Sequence, residues 1–108
     1  MFARLIEAKA KPGKVNEIVT IFTNDVLPLL KKQSDFVDAL GLTNDTTPDE
    51  GITVTLWKTK DDSEKFFNTN TEFKNIFNRI RDLTDSMTIR TCNVETSTFH
   101  RIAAAKAA

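Results

Sequence analysis

The spacing of apolar residues changes from segment to segment along the chain, and each spacing marks an element. Phe2 to Lys9 carries apolar residues at both parities and stops at Lys11-Pro12-Gly13, where proline and glycine punctuate a turn; it reads as a first strand. From Lys14 to Lys32 the apolar residues Val15, Ile18, Val19, Phe22, Val26, Leu29 and Leu30 recur at steps of three and four. That period gives an amphipathic helix one buried stripe, with Pro28 expected to bend its last turn. Asp35 to Thr43 reads as a second strand, followed by a polar loop from Thr43 to Gly51. Ile52 to Lys58 alternates, with Ile52, Val54 and Leu56 on one face and Thr53, Thr55 and Trp57 on the other.

Thr59-Lys60-Asp61-Asp62 suits a helix start, because a threonine hydroxyl accepts from an exposed amide three residues on and acidic side chains favour the positive helix end. The stripe behind it is aromatic, with Phe66, Phe67, Phe73 and Phe77 among its members, and Asn68 to Thr71 predicts a break into two helical pieces. Met87 to Phe99 is threonine-rich and β-branched, and predicts a fourth strand long enough to outrun its neighbours. The order is β-α-β-β-α-β, which predicts an α+β, ferredoxin-like antiparallel sheet with helices on one face. The other face is too apolar to stand bare, and a homodimer through that face and strand four would cover it.

At 108 residues, 40% of them hydrophobic and 28% charged, the chain suits a single packed domain. We place that domain over residues 1–102 and expect a disordered small-residue tail at residues 103–108. Fifteen basic residues balance fifteen acidic ones, so no net field draws nucleic acid or an anionic membrane. Neither a secretory signal nor a membrane span is legible, and a single cysteine, Cys92, suits a reducing, cytoplasmic setting.

Several residues resemble those of the antibiotic biosynthesis monooxygenase-like family of dimeric α/β barrels. They are Lys11-Pro12-Gly13-Lys14 after strand one, Leu56-Trp57-Lys58-Thr59-Lys60 before helix two, and Phe66-Phe67 followed by Phe73. The resemblance spans nearly the whole chain and implies cofactor-independent oxygenation of a small aromatic or quinol-like compound, with electrons reaching oxygen from a substrate carbanion. The haem-degrading branch of that family uses an asparagine on strand one and a tryptophan and a histidine on helix two. Matched through the glycine turn, those places fall on Ile6, Phe67 and Phe77, none of which can ligate iron or hydrogen-bond an oxygen species. Haem degradation is therefore disfavoured, and no cofactor or metal is expected.

No phosphate loop, nucleophile elbow or Cys-x-x-Cys pair occurs. His100 is the sole histidine and cannot alone build a metal site. Cys92 reads as a small buried hydrophobe, and Trp57 either stacks on a planar ligand or fills a core or dimer interface. Arg4, Arg90 and Asn93 lie on predicted strands, able either to orient a substrate oxygen or to make cross-strand or intersubunit hydrogen bonds. The candidate pocket residues are thus Arg4, Ile6, Trp57, Phe66, Phe67, Phe73, Phe77, Arg90 and Asn93, around a small apolar or aromatic ligand. Against the oxygenase stands a non-catalytic homodimer that binds small apolar molecules. A cavity with a polar group converging on it favours the first reading, and one filled by its own phenylalanines favours a structural role.

Overall fold

The computed structural model describes residues 1–99. Its strands are β1 (Phe2–Ala10), β2 (Phe36–Thr43), β3 (Glu50–Trp57) and β4 (Thr84–Asn93), and its helices are α1 (Val15–Ile21), α2 (Leu27–Lys31), α3 (Lys60–Thr69) and α4 (Thr71–Asp82). All strand pairs are antiparallel in the order β2-β3-β1-β4, the ferredoxin-like α+β arrangement expected from the sequence. Among the described residues no helix is long and apolar enough to cross a membrane. The expected tail, the end of the expected domain and His100 lie outside the described residues.

Local chemistry explains most element ends. In the turn after β1, Lys14 donates to the Lys11 carbonyl over 3.0 Å and Gly13 takes φ of 77°, a conformation that favours glycine. Thr59 Oγ1 accepts from the Asp62 amide at 3.2 Å and opens α3. Asn70 breaks the second helical run as expected, because its Oδ1 accepts from the Phe73 amide at 2.9 Å and opens α4.

The first helix differs from expectation. A π-helical turn, Phe22–Val26, joins α1 to α2, with the Leu27 amide bonding the Phe22 carbonyl five residues back. Pro28 follows; it has no N–H to give, and its ring presses on the carbonyl four residues before it. The irregularity therefore opens one turn before the proline, where the sequence reading put a bend in the last turn.

Strand register sets the two faces of the sheet. Arg4 pairs with Thr55, Ile6 with Thr53 and Ala8 with Gly51, placing these on the face under the helices, while Leu5 opposite Val54 and Ala3 opposite Leu56 look away from them. A bulge between Phe36 and Asp38 shifts the parity of β2. Phe36 stays with Trp57 on the covered face, but Leu40 and Leu42 turn to the uncovered one, where each is 50% exposed. The core gathers around Trp57, which is 1% exposed and meets the rings of Phe36, Phe66 and Phe67 at centroid distances of 5.6, 5.3 and 5.8 Å. Its Nε1 donates to Thr55 Oγ1 at 3.1 Å.

Strand four begins and ends earlier than predicted. It runs Thr84–Asn93 and pairs with β1 from Ala10 back to Phe2, so it matches its neighbour rather than outrunning it. Leu83 closes α4 by bonding the Ile80 carbonyl, and the polar residues after it enter the ladder directly through the Ala10–Thr84 pair. Period-two reading missed that entry because a bulge beside Lys9 and Ala10 breaks the alternation there.

Candidate functional site

A cavity of about 450 Å³ lies between the covered face of the sheet and the helix layer. Small side chains on the strands leave the space. Ala8 and Ala10 of β1, Ala39 and Gly41 of β2, and Thr53 of β3 form its floor, where larger residues would reach up to the helices. Gly51 belongs to the same floor; a Cβ there would come within 2.9 Å of the Leu42 carbonyl oxygen, so only glycine lets β2 and β3 approach. The roof has two halves. One is the π-helical turn and its flanks, through Ile18, Phe22, Val26 and Leu30, and the other is the aromatic stripe, through Phe67, Phe73 and Phe77. The widened turn thus faces the cavity, a placement common for π-bulges at functional sites.

Among the described residues the charged groups lining the cavity are Arg4, Asp49 and Glu50. Asp49 and Glu50 lie where β3 begins, while Arg4 sits opposite Thr55, five residues further along β3 and so roughly 17 Å away at about 3.3 Å per residue. The guanidinium carbon of Arg4 lies 4.2 Å from the centroid of the Phe67 ring. Burial lowers its proton affinity, and Glu64 partly restores it. Among the described residues the buried Nε atom has no hydrogen-bond partner, nor does Ser63 Oγ, which lies one turn before Phe67 on the same helix. Among the described residues no group of three or more His, Cys, Asp and Glu side chains is placed to hold a metal ion.

Of the candidates named from sequence, Arg4, Ile6, Phe67, Phe73 and Phe77 line this cavity. The set includes Ile6, Phe67 and Phe77, the places matched to the haem-degrading residues, which therefore converge on one space and present only hydrocarbon to it. Trp57 and Phe66 are packed into the core instead. Arg90 pairs with Leu5 and faces the uncovered side, where its Nε lies 3.7 Å from Glu7 Oε1. Asn93 is exposed at the end of β4 opposite Phe2. Cys92, expected to be buried, is exposed, because its edge strand turns it to the face that no helix covers. Sequence reasoning missed the floor of small residues and the π-helical turn; Gly41 and Gly51 within strands were the available signal for the former.

No family model matches the chain, and no curated protein matches it. Solved structures do. A variant of SnoaB, a cofactor-independent oxygenase from Streptomyces nogalater, is similar with a TM-score of 0.79 at 12% identity, over 90% of this chain and 95% of that one. A monooxygenase of Streptomyces coelicolor, solved in complex with nanaomycin D, gives 0.77 at 11% identity, over 89% of this chain and 88% of that one. A conserved protein of Methanosarcina mazei gives 0.74 at 19% identity, over 86% and 92%. At these identities the likeness is one of fold, and the chain has the fold of the antibiotic biosynthesis monooxygenases.

Proposed function

We propose that the chain is a cofactor-independent monooxygenase whose substrate is a small aromatic or quinol-like compound held between the sheet and the helices. The observation that carries this reading is the cavity itself. It stays open despite four phenylalanines around it, its walls are mostly apolar, and a cation converges on it. Its volume of about 450 Å³ falls within the roughly 300–1,000 Å³ of small-molecule sites. The structures of similar fold include a variant of a cofactor-independent oxygenase and a monooxygenase solved with nanaomycin D.

In the proposed reaction an ionised hydroxyaromatic gives an electron to dioxygen, and the radical pair combines as a peroxide on a ring carbon. Loss of water then leaves a quinone, with one oxygen atom in the product and the other in the water. The apolar walls would hold the ring and exclude solvent, which strengthens every charge interaction inside. Oxygen uptake and quinone formation on hydroxylated naphthalenes and anthrones test the reading, with Ala8→Phe as a variant that fills the floor. Turnover by the native chain and its loss in that variant are expected. Binding without oxygen uptake would instead favour a non-catalytic binding protein, a reading supported by the position of both lining carboxylates, Asp49 and Glu50, at the end away from Arg4.

The proposal includes a homodimer joined through the uncovered sheet face. Support comes from Leu5, Val54 and Leu56 on that face together with the half-exposed Leu40 and Leu42. The length of strand four no longer contributes, since β4 ends level with β1. A cytoplasmic setting is part of the same proposal, supported by the single unpaired cysteine.

A further inference from the structure

Arg4 brings a positive charge into an apolar space that offers it little in return. Among the described residues no ion pair joins it to a carboxylate, and the one acidic group that influences it, Glu64, lies 3.8 Å from Lys60 on its own helix. The Phe67 ring, 4.2 Å from the guanidinium carbon, attracts the charge but offers no oxygen to bond. The guanidinium carries five N–H donors in a fixed planar fork. One of them, Nε, is buried and finds no partner among the described residues. A half-buried cation left in this state is costly unless another molecule supplies the negative partner.

The charges of the cavity also give it direction. Arg4 marks one end, Asp49 and Glu50 the other, and the walls between are mostly apolar. A molecule with an anionic group at each end would be repelled at the acidic end, whereas one with a single anionic end fits in one orientation only.

We propose that Arg4 is the specificity-determining residue of this cavity, selecting planar apolar ligands that carry one anionic oxygen, a carboxylate or an ionised phenol or enol. The proposal rests on the reading of the cavity as a ligand site and adds the chemical class of its ligand. An ionised hydroxyaromatic is also the form that gives an electron to dioxygen, so the same contact would hold the reactive state of the substrate.

Calorimetric titration of the full chain with two pairs of probes tests it. Naphthoate and the hydroxynaphthoquinone lawsone are anions at neutral pH, carrying a carboxylate and an ionised enol respectively; naphthalene methanol and menadione are their uncharged relatives. The sole tryptophan, Trp57, packs against Phe67 and gives an independent fluorescence readout. At least one anion should bind roughly tenfold or more tightly than its neutral relative, as one charge-assisted hydrogen bond implies, and which anion does so separates the carboxylate from the enol. Arg4→Gln should abolish the preference, so that each anion binds no more tightly than its neutral relative, and Arg4→Lys, which keeps the charge without the planar fork, should retain part of it. Equal binding of anions and neutral relatives to the native chain would overturn the role of Arg4 and leave the ligand site standing. A preference that survives in a folded Arg4→Gln variant would overturn it too. Failure of every probe to bind would remove both. If Arg4→Gln does not fold, the native comparison and Arg4→Lys decide the matter.

Discussion

The hydroxyl of Thr55 accepts from Trp57 Nε1 at 3.1 Å and donates to the Arg4 carbonyl at 3.4 Å, so one small side chain orients the largest ring of the core. Valine has nearly the same shape and is a good strand former, yet it would leave the indole N–H buried without a partner. Thr55→Val is therefore expected to destabilise the chain by about 1–3 kcal/mol in urea titration, and a neutral result would show that the indole finds another acceptor. At this scale the sequence was only half legible. It singled out Arg4, Arg90 and Asn93 alike, because a strand with apolar residues at both parities does not reveal which parity the helices cover. The register decides: Arg4 lies opposite Thr55 under the helices, while Arg90 lies opposite Leu5 on the other face. The aromatic stripe was legible from its period, but not that Phe66 is core while Phe67, its neighbour, borders the cavity.

Asn70 is a joint between two helices. Its amide donates to the Phe66 carbonyl at 3.1 Å and closes α3, while its side chain accepts from Phe73 and opens α4. The two residues it bonds carry rings whose centroids lie 5.1 Å apart, so the joint and the aromatic stripe hold one another in place. Asn70→Ala should cost about 1 kcal/mol, the usual loss for a removed cap, and Asn70→Asp should restore it to within a few tenths. Equal stability of all three chains by urea titration would show that ring packing alone sets the angle. Both this joint and the Thr59 cap were readable from composition, since capping residues interrupt an apolar period visibly. The π-helical turn was not, because a pattern search assumes a fixed residue count per turn and Phe22, Val26, Leu29 and Leu30 satisfy it anyway. The bulge that turns Leu40 and Leu42 outward escaped for the same reason, since one unpaired residue reverses the meaning of every later position.

Taken whole, the molecule is two-layered, with a cavity between its layers and an apolar sheet face outside them. Leu40→Asp places a charge on that outer face, on its edge strand β2, where a lone chain tolerates it and a dimer through the face does not. Sedimentation of the native chain as a dimer and of the variant as a folded monomer is expected; a compact native monomer at micromolar concentration would refute the dimer. The order of elements was legible because each has its own period, whereas the cavity was not, because it arises where small residues from three different strands meet. In the ladder between β1 and β4, Phe2 lies opposite Asn93 and the Val94 amide donates to the Met1 carbonyl at 2.9 Å. Of the four described strands β1 comes first along the chain and occupies the interior of the sheet, while one of its two neighbours, β4, comes last. A growing chain thus carries β1 with an open edge until β4 has emerged, and that edge should attract chaperones during synthesis.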